Sequence, residues 1–282
     1  MKRIAMCALA LMAAATFAGA CSVGSAPSTP TPQPTSTATP PVPTNTAAPA
    51  ATATPALDAS TAIVVGGDLR VRNAPSTAGP VVRTLKDMSR VQIDRAVEGE
   101  NVLVGAQTWV STIPDWTRLW FRLTDGTYVY ASYIFIPTPG EESPLTDPRG
   151  AEKWIDVNVT TQTASAMIGD RAIHTAPVST GSPQFPSPLG THHIEKDGRI
   201  AVERMTASQA GYTPGQAVYD VENVLFTQYF DQKGDALHLN YWRPASVFGH
   251  TPTSHGCVGM LPHDAQWFWL FGAPGMRVEI HA

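Results

Sequence analysis

Cys257 and the histidines before it are the residues of this chain best equipped for covalent chemistry. A thiolate is a strong nucleophile once a base has removed its proton, and an imidazole is such a base near neutral pH. Cys257 lies in Ser254-His255-Gly256-Cys257-Val258, after a loop of small and turn-forming residues, Gly249-His250-Thr251-Pro252-Thr253. Gly256 beside the thiol allows backbone N–H groups to face a substrate oxygen. His238, His250 and His255 are the candidate bases. A thiol with an imidazole in reach is the minimum equipment for acyl transfer through a thioester.

Metal chemistry is not expected. His192 and His193 are adjacent on a predicted strand and so point to opposite faces. The His250 to His255 spacing contains Pro252 and lacks a nearby carboxylate, which argues against a helical zinc motif. No cofactor is expected either. Arg243, between His238 and Cys257 in the chain, is placed to meet a substrate carboxylate. Tyr241 and Trp242 suit a pocket wall.

The rest of the chain must carry and deliver this loop. A length of 282 residues suits about two domains, and 43% apolar residues are enough for a real core. A net charge of −4 gives no electrostatic case for nucleic acid or an anionic membrane surface. Met1-Lys2-Arg3 followed by the apolar run to Ala20 reads as a signal peptide over residues 1–20. Ala18-Gly19-Ala20-Cys21 resembles a bacterial lipobox, which implies lipidation of Cys21 and anchoring to a membrane outside the cytoplasm. Cys7 leaves with the signal and Cys21 is consumed by lipid. Cys257 is then a lone exported thiol in a setting where structural cysteines come in pairs. The expected reading is a reactive residue.

Residues 21–60 are dominated by Pro, Thr, Ala and Ser, a composition that cannot bury enough apolar surface to order itself. About 36 residues of polyproline II would reach on the order of 110 Å as a stalk. Residues 61–137 show short strands: Asp68–Arg72, which alternates polar and apolar residues, then Val81–Leu85, Arg90–Asp94, and a Leu119–Leu123/Tyr128–Tyr130 hairpin on Asp125-Gly126. Trp109, Trp116 and Trp120 are candidates for a groove or the core. Residues 138–150, rich in Pro and Gly, read as a second linker. Residues 151–282 are again strand-rich, with strands expected over 153–159, 164–167, 171–178, 187–194, 201–205, 224–230 and 236–240. One short helix is expected over Pro262–Leu270, with proline in its first turn.

Two resemblances follow from these segments. The run Leu69-Arg-Val-Arg-Asn-Ala-Pro-Ser76, with the closing Gly126-Thr-Tyr-Val-Tyr-Ala-Ser-Tyr-Ile134, resembles bacterial SH3-like domains. That resemblance implies cell-wall or peptide targeting. Residues 151–282 resemble the L,D-transpeptidase catalytic domain of the YkuD family. The opening hairpin Trp154–Thr163, the strand end Pro177-Val-Ser-Thr-Gly181 and Ser187-Pro-Leu-Gly190 match the family's pattern. So does His238 followed by fifteen residues and then Ser254-His-Gly-Cys257, with Tyr241-Trp242 and Phe248-Gly249 placed as in related members.

The expected architecture is therefore mainly β: a small SH3-like barrel followed by a YkuD-type β-sandwich with a short helix. By resemblance Cys257 is the nucleophile and His238 its base, oriented by the backbone carbonyl of Leu239. The N–H groups around Gly256 and Cys257 form the oxyanion hole, and Ser254 and His255 support them. The implied activity is 3→3 cross-linking of peptidoglycan stem peptides. With water as acceptor the same site is an L,D-carboxypeptidase. Two departures from the family pattern, Leu239 in place of Gly and Gly259 in place of Arg or Asn, leave a third reading, a catalytically weakened wall-binding protein. Gly259 accordingly counts among the substrate-contacting positions. A monomer is expected. A papain-like arrangement fails on order, because only His263 and His281 follow the cysteine.

Overall fold

The computed structural model describes residues 62–103, 114–216 and 219–282. The expected signal peptide, Cys21, the expected stalk and Trp109 lie outside the described residues. The described residues belong to one compact unit.

The first described region carries β1 (Ile63–Val64), β2 (Leu69–Arg72), β3 (Val81–Leu85), β4 (Ile93–Glu98), α1 (Pro114–Thr117), β5 (Leu119–Leu123), β6 (Tyr128–Tyr130) and β7 (Ile134–Phe135). Five of these strands form an antiparallel sheet in the order β3-β2-β6-β5-β4, while β1 pairs with β7. The β5/β6 hairpin turns at Asp125-Gly126 as its sequence predicts. The Asp125 carboxylate takes the Thr127 N–H at 3.0 Å, and Gly126 adopts a φ of +85°.

The second region holds β8 (Lys153–Asn158), β9 (Thr163–Ile168), β10 (Arg171–Ser179), β11 (Gly190–His193), β12 (Arg199–Thr206), β13 (Asp220–Tyr229), β14 (Ala236–Leu239), β15 (Val258–Met260), α2 (Pro262–Phe271) and β16 (Arg277–His281). The nine strands form a single curled sheet in the order β11-β16-β8-β9-β10-β15-β14-β13-β12. Strand β10 joins its halves. Arg171 to Pro177 pair with β9, and Val178 and Ser179 pair with β15. Proline at the changeover lacks the N–H that a continuing ladder would use, which suits a corner. Strand β16 was not among the expected strands, although Arg277-Val-Glu-Ile-His281 alternates polar and apolar residues after the Ala273-Pro-Gly275 turn. It inserts between β11 and β8 and is buried on one face only.

Helix α2 begins with Pro262 and packs against β13 and β14; its Trp267, Phe268 and Phe271 are fully buried, with Trp267 stacked on His174 of β10. The same helix receives the first region. Buried Gln266 donates from Nε2 to Ser132 O at 2.8 Å and to Ile134 O at 3.2 Å. Asn223 on β13 donates to Leu103 O at 3.1 Å. The two regions thus share one hydrophobic core that includes Trp120, Phe135, Phe226 and Phe268. Residues 138–150 are pinned to the sheet. Glu142 forms a two-pronged ion pair with Arg171, and Glu141 lies 2.9 Å from His263 and 3.3 Å from His174.

Candidate functional site

The site is built where two short parallel strands meet. His238 lies on β14 and is the register partner of Gly259 on β15. Because side chains alternate along a strand, the residue two before Gly259 projects to the same face as His238. That residue is Cys257. Both strands are buried at every position, so the pair is held on rigid backbone.

His238 is 2% exposed, and its Nδ1 lies 2.7 Å from the Leu239 carbonyl. A carbonyl only accepts, so Nδ1 carries the proton and the neutral ring presents a bare Nε2. The ring stacks on Trp242 with centroids 5.5 Å apart. Burial holds the imidazole pKa down to about 4 against the pull of the Leu239 carbonyl. Cys257 is half-buried, and its thiol is pushed up to about 12, first by desolvation and then by the charge of Asp235. Thiol and imidazole therefore rest neutral. The thiol donates to Gly234 O at 3.8 Å, so its proton must turn away from that carbonyl before it can pass to His238.

The loop before the thiol is tied tightly. The Ser254 hydroxyl donates to Cys257 O at 2.6 Å and accepts the Gly256 N–H at 3.1 Å. The Gly256 N–H is thus engaged by Ser254, which leaves the Cys257 N–H as the donor beside the sulfur. Ser187 links a second loop, accepting the Gly181 N–H at 2.9 Å and donating to Gly256 O at 2.6 Å. Gly256 sits at φ +125°, and a Cβ there would lie 2.0 Å from Asp235 Oδ1. No other residue fits that position.

A cavity of about 340 Å³ is lined by His238, Trp242, Arg243, Ser254, His255 and Cys257 together with Asn240. Arg243 contributes a buried Nε without a hydrogen-bond partner among the described residues. Other expected residues stand elsewhere. Tyr241 does not line this cavity; it is fully buried behind it and donates to Glu222 O at 2.7 Å. Gly259 does not line it either. A Cβ on Gly259 would meet Asn240 Nδ2 at 2.8 Å, so the Asn240 amide occupies the space beside the nucleophile strand. His255 is held among aromatic rings, 4.5 Å from Phe185 and 4.8 Å from Tyr219. His250 is exposed on its loop.

A second cavity, about 920 Å³, also reaches Cys257 and is lined by Asp235, Tyr212, Phe185 and Lys233 but not by His238. Sequence reasoning passed over Asp235 because Asp231-Gln-Lys-Gly-Asp235 reads as a turn. Asn240 carried a usable signal: it lies two residues after His238, at the end of the expected strand 236–240, a spacing that puts it on the same face.

Residues 152–280 match the sequence model of the YkuD family, the L,D-transpeptidase catalytic domain. Among curated proteins, L,D-transpeptidase 1 of Mycobacterium tuberculosis (strain H37Rv) is 23% identical over 128 residues, 44% of this chain and 48% of that protein. The chain spans about half the length of the curated relatives it matches. Among solved structures, an L,D-transpeptidase from Mycobacterium smegmatis is 20% identical with a TM-score of 0.43, covering 58% of this chain and 66% of that one. An L,D-transpeptidase from Mycobacterium tuberculosis H37Rv is 16% identical with a TM-score of 0.40, covering 79% and 81%.

Proposed function

We propose, from the premise that residues 152–280 are a YkuD-family L,D-transpeptidase catalytic domain, that Cys257 transfers acyl groups between peptidoglycan stem peptides through a thioester. The observation that carries the proposal is the shared face of His238 and Cys257 at the head of one cavity. On substrate binding, Nε2 of His238 takes the thiol proton as the sulfur attacks the carbonyl of the third stem residue. The Cys257 N–H faces the developing oxyanion, a contact whose loss costs about 10²–10³ in rate in other acyl-transfer sites. The imidazolium then protonates the departing amine, and the terminal D-alanine leaves. An amine from a neighbouring stem attacks the thioester, forming a 3→3 link and restoring the thiol. With water as acceptor the reaction is an L,D-carboxypeptidase step.

Arg243, with its unpartnered Nε in the cavity wall, is the group to bind a carboxylate of the donor stem. The Asn240 amide supplies the polarity that Gly259 lacks, which favours an active enzyme over a weakened wall-binding protein. We read residues 61–137 as an SH3-like domain that targets the wall. The composition of residues 1–60 supports export, lipidation at Cys21 and a stalk facing the cell wall.

The test is turnover of a purified tetrapeptide stem, with and without an amine-bearing acceptor stem, by wild type and Cys257→Ala. Release of D-alanine with a cross-linked product in wild type only is expected. Wall binding by both proteins, with no D-alanine released by either, would support the binding-module reading instead.

A further inference from the structure

We propose that Asp235 is the acceptor-side base of the transfer step and selects a cationic amine over water as the acyl acceptor. The inference rests on the reading of the preceding subsection and extends it to a second residue at the thiol. It starts from the two cavities. One reaches Cys257 past His238, and the other reaches Cys257 past Asp235, each cavity lacking the other's proton acceptor. A transfer reaction needs two partners at one carbonyl, and two approaches to one sulfur meet that need.

Asp235 lies against the nucleophile loop. Its two carboxylate oxygens fall 2.0 and 3.0 Å from where a Cβ on Gly256 would be. Its charge reaches the Cys257 thiol and the Tyr212 and Tyr219 hydroxyls. The backbone around it is fixed. Asp235 N–H and Lys233 N–H both donate to Asp231 Oδ1, at 3.0 and 2.9 Å, and the next residue enters β14. Asp231 and Lys233 are the charged groups that set its proton affinity, and Tyr212, Tyr219 and Cys257 are the titratable groups that feel its charge. Burial and the Asp231 carboxyl push it up to about 7, against the pull of Lys233. A carboxyl in that range exchanges a proton with solvent near neutral pH and still attracts an ammonium.

The chemistry balances with groups already in place. An amine acceptor arrives as an ammonium, which has no lone pair for attack. The Asp235 carboxylate takes one proton from it. The freed amine then attacks the thioester carbonyl, forming the C–N bond. His238 takes a second proton from the nitrogen and passes it to sulfur as the C–S bond breaks. Asp235 later releases its proton to solvent. Water carries no charge for Asp235 to attract, so the carboxylate biases partition of the acyl-enzyme toward the amine.

The experiment reads that partition directly. Wild type, Asp235→Asn and Asp235→Glu are given the tetrapeptide donor at pH 7 with either a tripeptide stem bearing a side-chain ammonium or hydroxylamine, which is uncharged at that pH. The ratio of aminolysis product to hydrolysed acid is independent of how fast the acyl-enzyme forms. Loss of a positioned base predicts that Asp235→Asn lowers the ratio about tenfold or more for the charged amine, leaves it within about twofold for hydroxylamine, and that Asp235→Glu restores much of it. An unchanged ratio in Asp235→Asn, an equal fall for both acceptors, or no product from either variant while wild type turns over would overturn the assignment. Absence of acyl-enzyme and product in wild type would instead remove the parent reading.

Discussion

His238 and Gly259 face one another across a parallel strand pair, and this register puts the imidazole on the sheet face from which Cys257 projects. Fifteen residues separate His238 from Ser254 in the chain, and the intervening loop returns the cysteine beside the histidine one strand over. The Leu239 carbonyl, 2.7 Å from Nδ1, fixes the tautomer. It follows that His238→Gln, which keeps an amide but no base, should lower acylation by about 10²–10⁴ without loss of fold. Single-turnover rates with melting curves check this.

The neutral resting pair makes a pH prediction. With the thiol near 12, alkylation of the free protein by iodoacetamide should be slow at pH 7. It should climb by about tenfold per pH unit through pH 9 without levelling, because only the thiolate reacts. A plateau starting near pH 7 would mean a stabilised thiolate and contradict the described environment. With His238 near 4, protonation of the base becomes limiting only as pH falls toward that value. The acid limb of kcat/KM should therefore lie well below that of an ordinary histidine.

Much of this was legible in the sequence. The hairpin at Asp125-Gly126, the strand Leu69–Arg72 within a residue of its start, and helix α2 within a residue of its end follow from turn chemistry, alternation and Pro262. The spacing from His238 to Cys257 singled out the pair that the sheet brings to one face. What alternation could not reveal is long-range. The Arg277–His281 stretch does alternate, but its place between β11 and β8 is set by distant strands, and Gln266 is explained only by the carbonyls of a distant segment. Residues 138–150 read as a linker from Pro and Gly, yet Glu141 and Glu142 dock it onto His174, His263 and Arg171. Tyr241 looked like a pocket residue by sequence proximity, but its hydroxyl is turned to Glu222.

Gly256→Ala should abolish activity and destabilise the protein. The substitution combines a φ of +125° with a 2.0 Å approach to Asp235 Oδ1. Backbone strain of this kind costs on the order of 1–3 kcal/mol before the steric term is added. Adding Asp235→Gly should recover part of the stability and none of the strain, which a double-mutant cycle in urea would show.

Gly259→Asn should be poorly tolerated alone, because a Cβ there meets Asn240 Nδ2 at 2.8 Å. Paired with Asn240→Ala the same change should be accommodated, with a coupling energy of about 1 kcal/mol or more. Additive effects in the cycle would show that the two positions do not share the space.

The docking of the first region also has a measurable consequence. Gln266→Leu keeps the bulk but leaves Ser132 O and Ile134 O buried without their donor. A loss of about 1–3 kcal/mol is expected, read as a fall in the urea midpoint.

The most direct test of the central claim is intact-protein mass spectrometry with peptide mapping after a brief exposure to the tetrapeptide stem or to a carbapenem. The account predicts one added acyl mass, carried by Cys257, absent in Cys257→Ala and slow to form in His238→Gln. Adduct on any other residue, or full turnover by Cys257→Ala, would contradict it.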